Sequence, residues 1–167
     1  YKPNDYNSEV AYMGCRTRVM GNVYDPTREV TCGRGNLSFT SINLPRLAIE
    51  AKGDINKFYK SLDDMIDLVI RQLLHRFKIQ CAKIGKNYHC LMGQNIWLDS
   101  DNIGEYDTVS EVLRHGTLTV GFIGLAETLK ALIGKHHGES AEAQKLGLAI
   151  IGHMRKRMDD EAQKTKL

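Results

Sequence analysis

Long apolar runs are missing from this sequence of 167 residues. A membrane-spanning helix needs roughly 20 consecutive, mostly apolar residues, and no segment approaches that length. The first residues, YKPNDYNSEV, have neither the basic region nor the apolar region of a signal peptide. We therefore predict a soluble, cytoplasmic protein with no membrane partner.

Closely spaced cysteines are missing as well. The four cysteines lie far apart in the sequence, at Cys15, Cys32, Cys81 and Cys90. None belongs to the C-x-x-C pair of a zinc knuckle or a thioredoxin-type redox site. We expect reduced thiols, and we predict no metal in this segment.

A strong charge of either sign is also lacking. The sequence has 23 Lys and Arg against 20 Asp and Glu, a formal net charge of +3 and a pI of about 8.6. This balance is typical of a soluble globular protein and excludes a nucleic-acid coat or a disordered tail, so no nucleic-acid partner is predicted. The 42% hydrophobic content is enough for one compact domain with an apolar core.

Apolar periodicity in the first half predicts a strand followed by a long helix. The stretch NLSFTSINL, Asn36 to Leu44, has apolar groups on both faces, which indicates a strand enclosed by the fold and ended by Pro45. The three-and-four spacing after Asp54 predicts an amphipathic helix about seven turns long. An extended segment and a loop are expected over residues 86–102.

The second half again alternates strand and helix. A short helix is predicted from about Thr108 to Arg114, and a buried strand from Thr117 to Phe122. Gly121 to Gly124 marks a tight turn into a helix that ends at Gly134, and Ser140 opens a last helix. These elements indicate an α/β architecture, in which two or three strands cannot close a sheet or barrel by themselves.

Two residues near the first strand could carry chemistry. Cys15 lies in YMGCRTRV, which has turn character, so it is either an exposed loop thiol or a buried, inert cysteine. Asn36 follows GRG, and its amide either offers a donor and an acceptor to a substrate hydroxyl or belongs to a turn. Because GRG leads into a strand rather than a helix, the dinucleotide-binding fingerprint does not apply.

The turn in VGFIGLAE is a candidate anion site. Residues Gly121, Phe122, Ile123 and Gly124 precede a helix N-terminus, whose free backbone N–H groups bind anions such as phosphate. The alternative is that these small residues permit close packing of the helix on the sheet. No Lys-Ser/Thr pair follows the glycines, which excludes a P-loop.

Three stretches resemble one known family. EVAYMGCRTRV, GRGNLSFTSINLPRLAI and HGTLTVGFIGLAETLKALIGKHHGESAEAQKLGLAIIGHMR are similar, in this order, to the anaerobic (class III) ribonucleoside-triphosphate reductases, which are glycyl radical enzymes. The stretch LMGQNIWLDSD between them is similar too. The resemblance implies a segment of a ten-stranded α/β barrel in which a finger loop brings a cysteine to the barrel centre.

The resemblance also implies roles for individual residues. Cys15 in MGCR matches the finger-loop cysteine, which receives a radical stored on a C-terminal glycine and then, as a thiyl, abstracts the hydrogen at C3′ of the ribose. Asn36 in GRGN matches an active-site amide that hydrogen-bonds the ribose hydroxyls. The turn from Gly121 to Gly124 would suit the substrate triphosphate, an inference from helix-terminus physics alone.

On this interpretation the whole chain is a single segment of the catalytic barrel. It comprises a finger loop and strand over residues 1–53, a helix and connecting elements over 54–114, and a strand-helix-helix unit over 115–167. The segment lacks the family's nucleotide-sensing module, first half-barrel, zinc cysteines and radical glycine, so we expect it to be inactive alone. No cofactor is expected within it, since the glycyl radical, zinc and ATP or dNTP effectors belong to the rest of the family protein.

The resemblance finally implies partners and leaves alternatives. The expected partners are a ribonucleoside triphosphate, a radical-SAM activating enzyme and a second copy in a homodimer, with formate as reductant. Two other functions stay open, a non-catalytic nucleotide-binding or assembly module and a related glycyl radical lyase. GRGNLSFTSINLPRL favours the reductase over the lyase, whereas tight, specific binding of nucleoside triphosphate by the isolated segment would favour the module.

Overall fold

The computed structural model describes residues 11–13, 17–19, 21–28 and 30–167. The chain divides into two compact units, the first made of residues 1–38, 73–119 and 162–167 and the second of residues 39–72 and 120–161. The strands are β1 (Ala11–Met13), β2 (Thr17–Val19), β3 (Asn36–Asn43) and β4 (Thr117–Ile123). The α-helices are α1 (Leu44–Ala51), α2 (Ile55–Cys81), α3 (Ser110–Leu113), α4 (Leu125–Ile133) and α5 (Ala141–Thr165).

The strands form two small sheets. β1 pairs antiparallel with β2, and β3 pairs with β4 in a two-stranded parallel sheet. The predicted α/β architecture is confirmed at this level. Within β3, however, only Ile42 is buried and Phe39 is 66% exposed, and β4 is half-buried with an exposed end. The expectation that both strands are enclosed is therefore wrong for this chain by itself, because a sheet of two strands covers little of its own surface.

Helix α1 follows β3 without a loop and was not predicted. Asn43 caps it, since its Oδ1 accepts a hydrogen bond from the N–H of Arg46 at 3.2 Å. Pro45 lies in the first turn, where backbone N–H groups have no partner within the helix, so its lack of an N–H costs no hydrogen bond. The residue interpreted as the end of a strand therefore also starts a helix. The helix ends at Lys52, which has a left-handed backbone with φ of 53°. α1 then packs against α4 in the second unit.

Helix α2 confirms the long amphipathic helix predicted after Asp54. Its 27 residues span about 40 Å at 1.5 Å per residue. Asp54 precedes it and accepts a hydrogen bond from the N–H of Lys57 at 3.0 Å. One face is buried throughout, at Phe58, Leu62, Ile66, Val69 and Leu73. On the same helix, Asp63 accepts hydrogen bonds from His153 (2.8 Å) and Arg157 (2.5 Å) of α5, which ties the two helices of the second unit together.

The segment over residues 86–102 is compact, so the predicted extended conformation is wrong. It contains one 3₁₀ turn at Gly85–Tyr88 and another at Ser100–Asn102, with further turns between them. Its N–H groups bond to nearby carbonyls, as in the 2.8 Å bond from Met92 to Tyr88. The N–H groups of Lys86 and Leu98 donate instead to the more distant carbonyl oxygens of Glu105 and Gly33, and residues 86–102 form no strand.

The apolar side chains of this segment build the core of the first unit. Met92 and Trp97 are buried with Val109, Val112 and Leu113. The indole Nε1–H of Trp97 donates to the carbonyl oxygen of Val112 at 2.7 Å, so the one polar group of that side chain is paired.

The last elements follow the prediction closely. Helix α3 lies within the predicted range, and α4 ends at Gly134, whose φ of 78° needs a residue without a side chain. Ser140 caps α5 by accepting a hydrogen bond from the N–H of Ala143 at 3.1 Å. The predicted turn from Gly121 to Gly124 is shorter than expected, because β4 continues to Ile123 and only Gly124 turns the chain. No helix of the described residues is long and apolar enough to cross a membrane.

Candidate functional site

Cys15 lies outside the described residues. The strands on either side of it in the sequence are described, and they pair with Met13 opposite Thr17 and Ala11 opposite Val19. The ladder therefore joins the two chain segments that flank the cysteine. The role of Cys15 stays a prediction.

The GRG sequence before Asn36 anchors the start of β3. Gly33 has a φ of 69°, and its carbonyl oxygen accepts a 2.7 Å hydrogen bond from the N–H of Leu98, so neither the backbone angle nor the space allows a larger residue. Arg34 is 4% exposed, and its Nε donates to the carbonyl oxygen of His115 at 2.7 Å. These bonds fix the chain just before the strand.

Asn36 itself presents an unused acceptor. Its side-chain Oδ1 is buried and accepts no hydrogen bond from the described residues, and the hydroxyl of Thr117 is likewise buried and unbonded. The N–H of Thr117 donates to the carbonyl oxygen of Gly35 at 2.9 Å, and Asn36 and Thr117 are the first residues of the adjacent parallel strands β3 and β4. A buried acceptor without a hydrogen bond lowers the stability of the fold by about 1–3 kcal/mol, and in many proteins a ligand or a water molecule donates the missing hydrogen bond. Asn36 thus has an unsatisfied acceptor, and its role toward a substrate stays a prediction.

A polar network next to the strand starts was not found from the sequence. His115 is 2% exposed; its Nε2 lies 2.9 Å from Oδ2 of Asp99, and its Nδ1 lies 3.1 Å from Nδ2 of Asn22. Since a carboxylate only accepts, a neutral His115 carries its hydrogen on Nε2, and its Nδ1 accepts from the amide of Asn22. Arg28 makes two hydrogen bonds to the same carboxylate of Asp99, at 2.7 and 2.9 Å.

This network fixes the segment that follows β2. Oδ1 of Asn22 accepts a 3.2 Å hydrogen bond from the N–H of Asp25. The hydrogen bonds from Arg28, followed by that from His115, hold the pKa of Asp99 below its ordinary value. The hydroxyl of Thr27 and then Arg28 lower the pKa of Asp25 to about 2. Both carboxylates are therefore ionised at neutral pH; Asp25 bonds within residues 22–28, and Asp99 links Arg28 of that segment to His115.

A cavity of the first unit adjoins this network. It has a volume of about 590 Å³, and its lining includes the carboxylates of Asp25, Asp99, Asp107 and Glu111 with the guanidinium of Arg28. An excess of carboxylates disfavours a triphosphate. No group of three or more His, Cys, Asp or Glu side chains suited to a metal ion occurs in the described part of the chain.

The candidate anion turn shows features of close packing. A Cβ on Gly121 would lie 2.9 Å from the hydroxyl oxygen of Ser41, and one on Gly124 would lie 2.3 Å from Cγ of Pro45. Glu127 already places a carboxylate in the first turn of α4. The packing alternative therefore has direct geometric support, whereas the binding role of Gly121 to Gly124 stays a prediction.

The remaining cysteines have no assigned role. Cys32 and Cys90 are exposed and Cys81 is half-buried, and all three are free thiols. Burial raises the pKa of Cys81, so this thiol is not activated as a nucleophile.

The fold and the site define a mixed α/β protein with an unpaired amide oxygen at the start of a parallel strand and, in the sequence, a cysteine between the segments of two paired strands. A family model described as anaerobic ribonucleoside-triphosphate reductase matches residues 1–167. The chain therefore belongs to the anaerobic ribonucleoside-triphosphate reductase family.

Individual relatives carry the same name. The chain is 31% identical over 159 residues to the anaerobic ribonucleoside-triphosphate reductases of Salmonella typhimurium and Escherichia coli, covering 92% of this chain and 22% of each relative. It is 29% identical over 150 residues to that of Haemophilus influenzae, covering 86% of this chain and 20% of the relative. The chain thus spans about a fifth of the length of these relatives.

Proposed function

We propose that this chain is part of the catalytic core of an anaerobic ribonucleoside-triphosphate reductase, which converts ribonucleotides to deoxyribonucleotides. The family match over residues 1–167 is the observation on which the proposal rests. The parallel pairing of β3 and β4, with helices between them in sequence, supports a segment of a ten-stranded α/β barrel. Because the chain spans about a fifth of its relatives, the segment alone is inactive.

Within the enzyme, Cys15 relays the radical. The glycyl radical of the full-length protein supplies the unpaired electron. The thiol hydrogen of Cys15 would pass to that glycyl carbon, so a C–H bond forms as the S–H bond breaks and a thiyl radical remains. The sulfur of Cys15 would then take the hydrogen atom from C3′ of the ribose, so one S–H bond forms as one C–H bond breaks. The antiparallel pairing of β1 with β2 supports a finger loop, since the two segments flanking Cys15 are joined. Formate is the reductant, and a radical-SAM enzyme and a second copy are the partners.

Asn36 binds the ribose in this proposal. Its buried Oδ1, without a partner among the described residues, supports a hydrogen bond accepted from a ribose hydroxyl as water leaves C2′. The helix N-terminus after Gly121 to Gly124 is the candidate for the triphosphate, supported by its free N–H groups.

The decisive experiment is anaerobic ribonucleotide reduction by the full-length protein with its activating enzyme and formate. Cys15→Ala and Cys15→Ser are expected to abolish deoxynucleotide formation while the glycyl radical signal in electron paramagnetic resonance persists. Cys32→Ser, which changes an exposed thiol, is the matched control and should retain activity. Substantial activity in Cys15→Ser would contradict the relay.

A second variant tests the amide. Asn36→Ala removes the acceptor, so kcat/KM should fall by about tenfold or more, with an intact glycyl radical signal. An unchanged kcat/KM in Asn36→Ala would exclude this amide from the site while leaving the role of Cys15 untouched.

A further inference from the structure

The side-chain amide of Asn22 has one orientation that suits its neighbours. Its Oδ1 accepts the 3.2 Å hydrogen bond from the N–H of Asp25, and a backbone N–H can only donate. The donor end, Nδ2, therefore lies 3.1 Å from Nδ1 of His115 and 3.5 Å from the carbonyl oxygen of Arg28. Asn22 is 2% exposed, so its amide depends on these protein partners rather than on bulk water.

The ring of His115 lies between an acceptor and this donor. Its Nε2 is 2.9 Å from Oδ2 of Asp99, a carboxylate whose pKa is lowered by the hydrogen bonds from Arg28 and then from His115 itself. Since an ionised carboxylate only accepts, Nε2 carries a hydrogen, and in the neutral ring Nδ1 is free to accept from Asn22. A proton that adds to the neutral ring therefore goes to Nδ1, the nitrogen that faces the donor.

Protonation of His115 places two donors against each other. The bond from Nε2–H to Asp99 is kept and becomes charge-assisted, but Nδ1–H and the amide N–H of Asn22 repel. The contact becomes favourable again if the amide turns round, so that Oδ1 of Asn22 accepts from Nδ1–H. That rotation removes the acceptor from the N–H of Asp25 and the donor from the carbonyl oxygen of Arg28.

The cost of protonation thus falls on the segment that follows β2 in the sequence, and not on the bond to Asp99. We propose that His115 and Asn22 form a proton-sensitive latch on residues 22–28. The latch holds the turn at residues 22–25 while His115 is neutral, and it releases this turn when His115 is protonated.

The charges around the ring leave His115 as the group that operates the latch. The charged and titratable groups near it are Tyr24, Asp25 and Arg28 after β2, Arg34 before β3, Asp99, Asp107, and Glu111 and Arg114 next to it in the sequence. Arg34 donates to the backbone carbonyl oxygen of His115 at 2.7 Å, and the ring of Tyr24 meets the imidazole edge-on. Carboxylic acids, tyrosine and arginine ordinarily titrate outside pH 5–8, whereas histidine titrates within it.

The test is hydrogen–deuterium exchange of the peptide covering residues 21–28 in the full-length protein from pH 8 to pH 5, corrected for the intrinsic exchange rate at each pH. Wild-type protection should fall about 2- to 10-fold towards pH 5, because the bond from the N–H of Asp25 is lost. Asn22→Asp presents two oxygens, which accept from Nδ1–H and from that N–H at once, so its protection should not fall. His115→Asn does not titrate in this range, and its protection should be the same at pH 5 and pH 8.

The matched control is His153→Asn, which removes a histidine of α5 in the second unit and should leave the wild-type fall over residues 21–28 unchanged. Equal protection at pH 5 and pH 8 in the wild type would overturn the latch. An undiminished fall in His115→Asn would also overturn it, since another group would then be the cause. If His115→Asn does not fold, Asn22→Asp decides, and a wild-type fall in that variant overturns the proposal. The measurement involves no radical chemistry, so the latch and the role proposed for Cys15 can fail independently.

Discussion

The hydrogen bond between Asn22 and His115 can be measured as a coupling free energy. The variants are His115→Ala, Asn22→Ala and the double variant, in the full-length protein. His115→Ala loses the bond to Asn22, the bond to Asp99 and the edge-on contact with Tyr24 at 5.1 Å, so we expect a local destabilisation of about 2–4 kcal/mol. Asn22→Ala loses three hydrogen bonds, to His115, Asp25 and the carbonyl oxygen of Arg28, the last a long one of 3.5 Å, and should cost about 1–3 kcal/mol.

The double variant should cost about 1 kcal/mol less than the sum of the two single variants, because the shared bond is lost only once. Hydrogen–deuterium exchange of peptides covering residues 21–28 and 110–116 measures the local opening free energy where the full-length protein need not unfold in one step. The exposed pair Lys60 and Asp64 is the control, and its cycle should give about 0–0.5 kcal/mol. Additivity of the His115 and Asn22 variants within about 0.3 kcal/mol would refute the proposed tautomer and the network built on it.

Three further perturbations test the first unit. Gly85→Ala would place a Cβ 2.6 Å from the carbonyl oxygen of Gly104, and thermal denaturation should show a loss of about 1–3 kcal/mol. The control is Gly152→Ala, whose Cβ would have nothing within 4 Å and should stabilise helix α5 by about 0.5–1 kcal/mol. Equal effects of the two substitutions would contradict the close packing at Gly85. Trp97→Phe should lower stability by about 2–4 kcal/mol and raise exchange near Val112, since it removes the 2.7 Å indole hydrogen bond and leaves space where the larger ring packed; wild-type stability would contradict this. The third variant is Asp99→Asn. In the wild type the native pKa of Asp99 is lowered, so its ionised carboxylate stabilises the fold above the unfolded pKa of about 3.9. This stabilisation is lost as the pH falls through the native pKa. The difference from wild type in a pH series of melts should therefore be full at pH 6 and shrink below about pH 4, and a constant difference would contradict the ion pair.

Local patterns predicted the elements whose signals are local. The buried face of α2 repeats every three to four residues, so the helix after Asp54 could be found from the sequence. Helix α1 was missed because Pro45 ends a strand and starts a helix with the same chemistry. The segment over residues 86–102 was misassigned because its buried side chains, Met92 and Trp97, are five residues apart, which fits neither a strand nor a helix.

Residues of the candidate site could likewise be predicted only where the sequence signal is local. Asn36 could be proposed from the sequence because it belongs to a continuous motif, GRGN, and its role stays a prediction. The network could not be found, since Asn22 and His115 are separated by 93 residues and only the folded chain brings them together. A histidine before a strand gives no local signal for its partner. The sequence also cannot predict that Nε of Arg114 is buried without a hydrogen bond to the described residues, because this depends on which groups the fold places around it.

The parallel pairing of β3 with β4 also has a consequence during protein synthesis. Roughly 70 residues separate the two strands in sequence, and a ribosome adds about 5–20 residues per second, so β3 emerges several seconds before its partner exists. Helix α2 is stabilised by contacts between near neighbours and forms within about a microsecond of leaving the ribosome. Helix α2 therefore precedes the sheet. During those seconds the edge of β3 is open to pairing with other nascent chains, and the amide of Asn36 takes its position only after translation has passed Thr117.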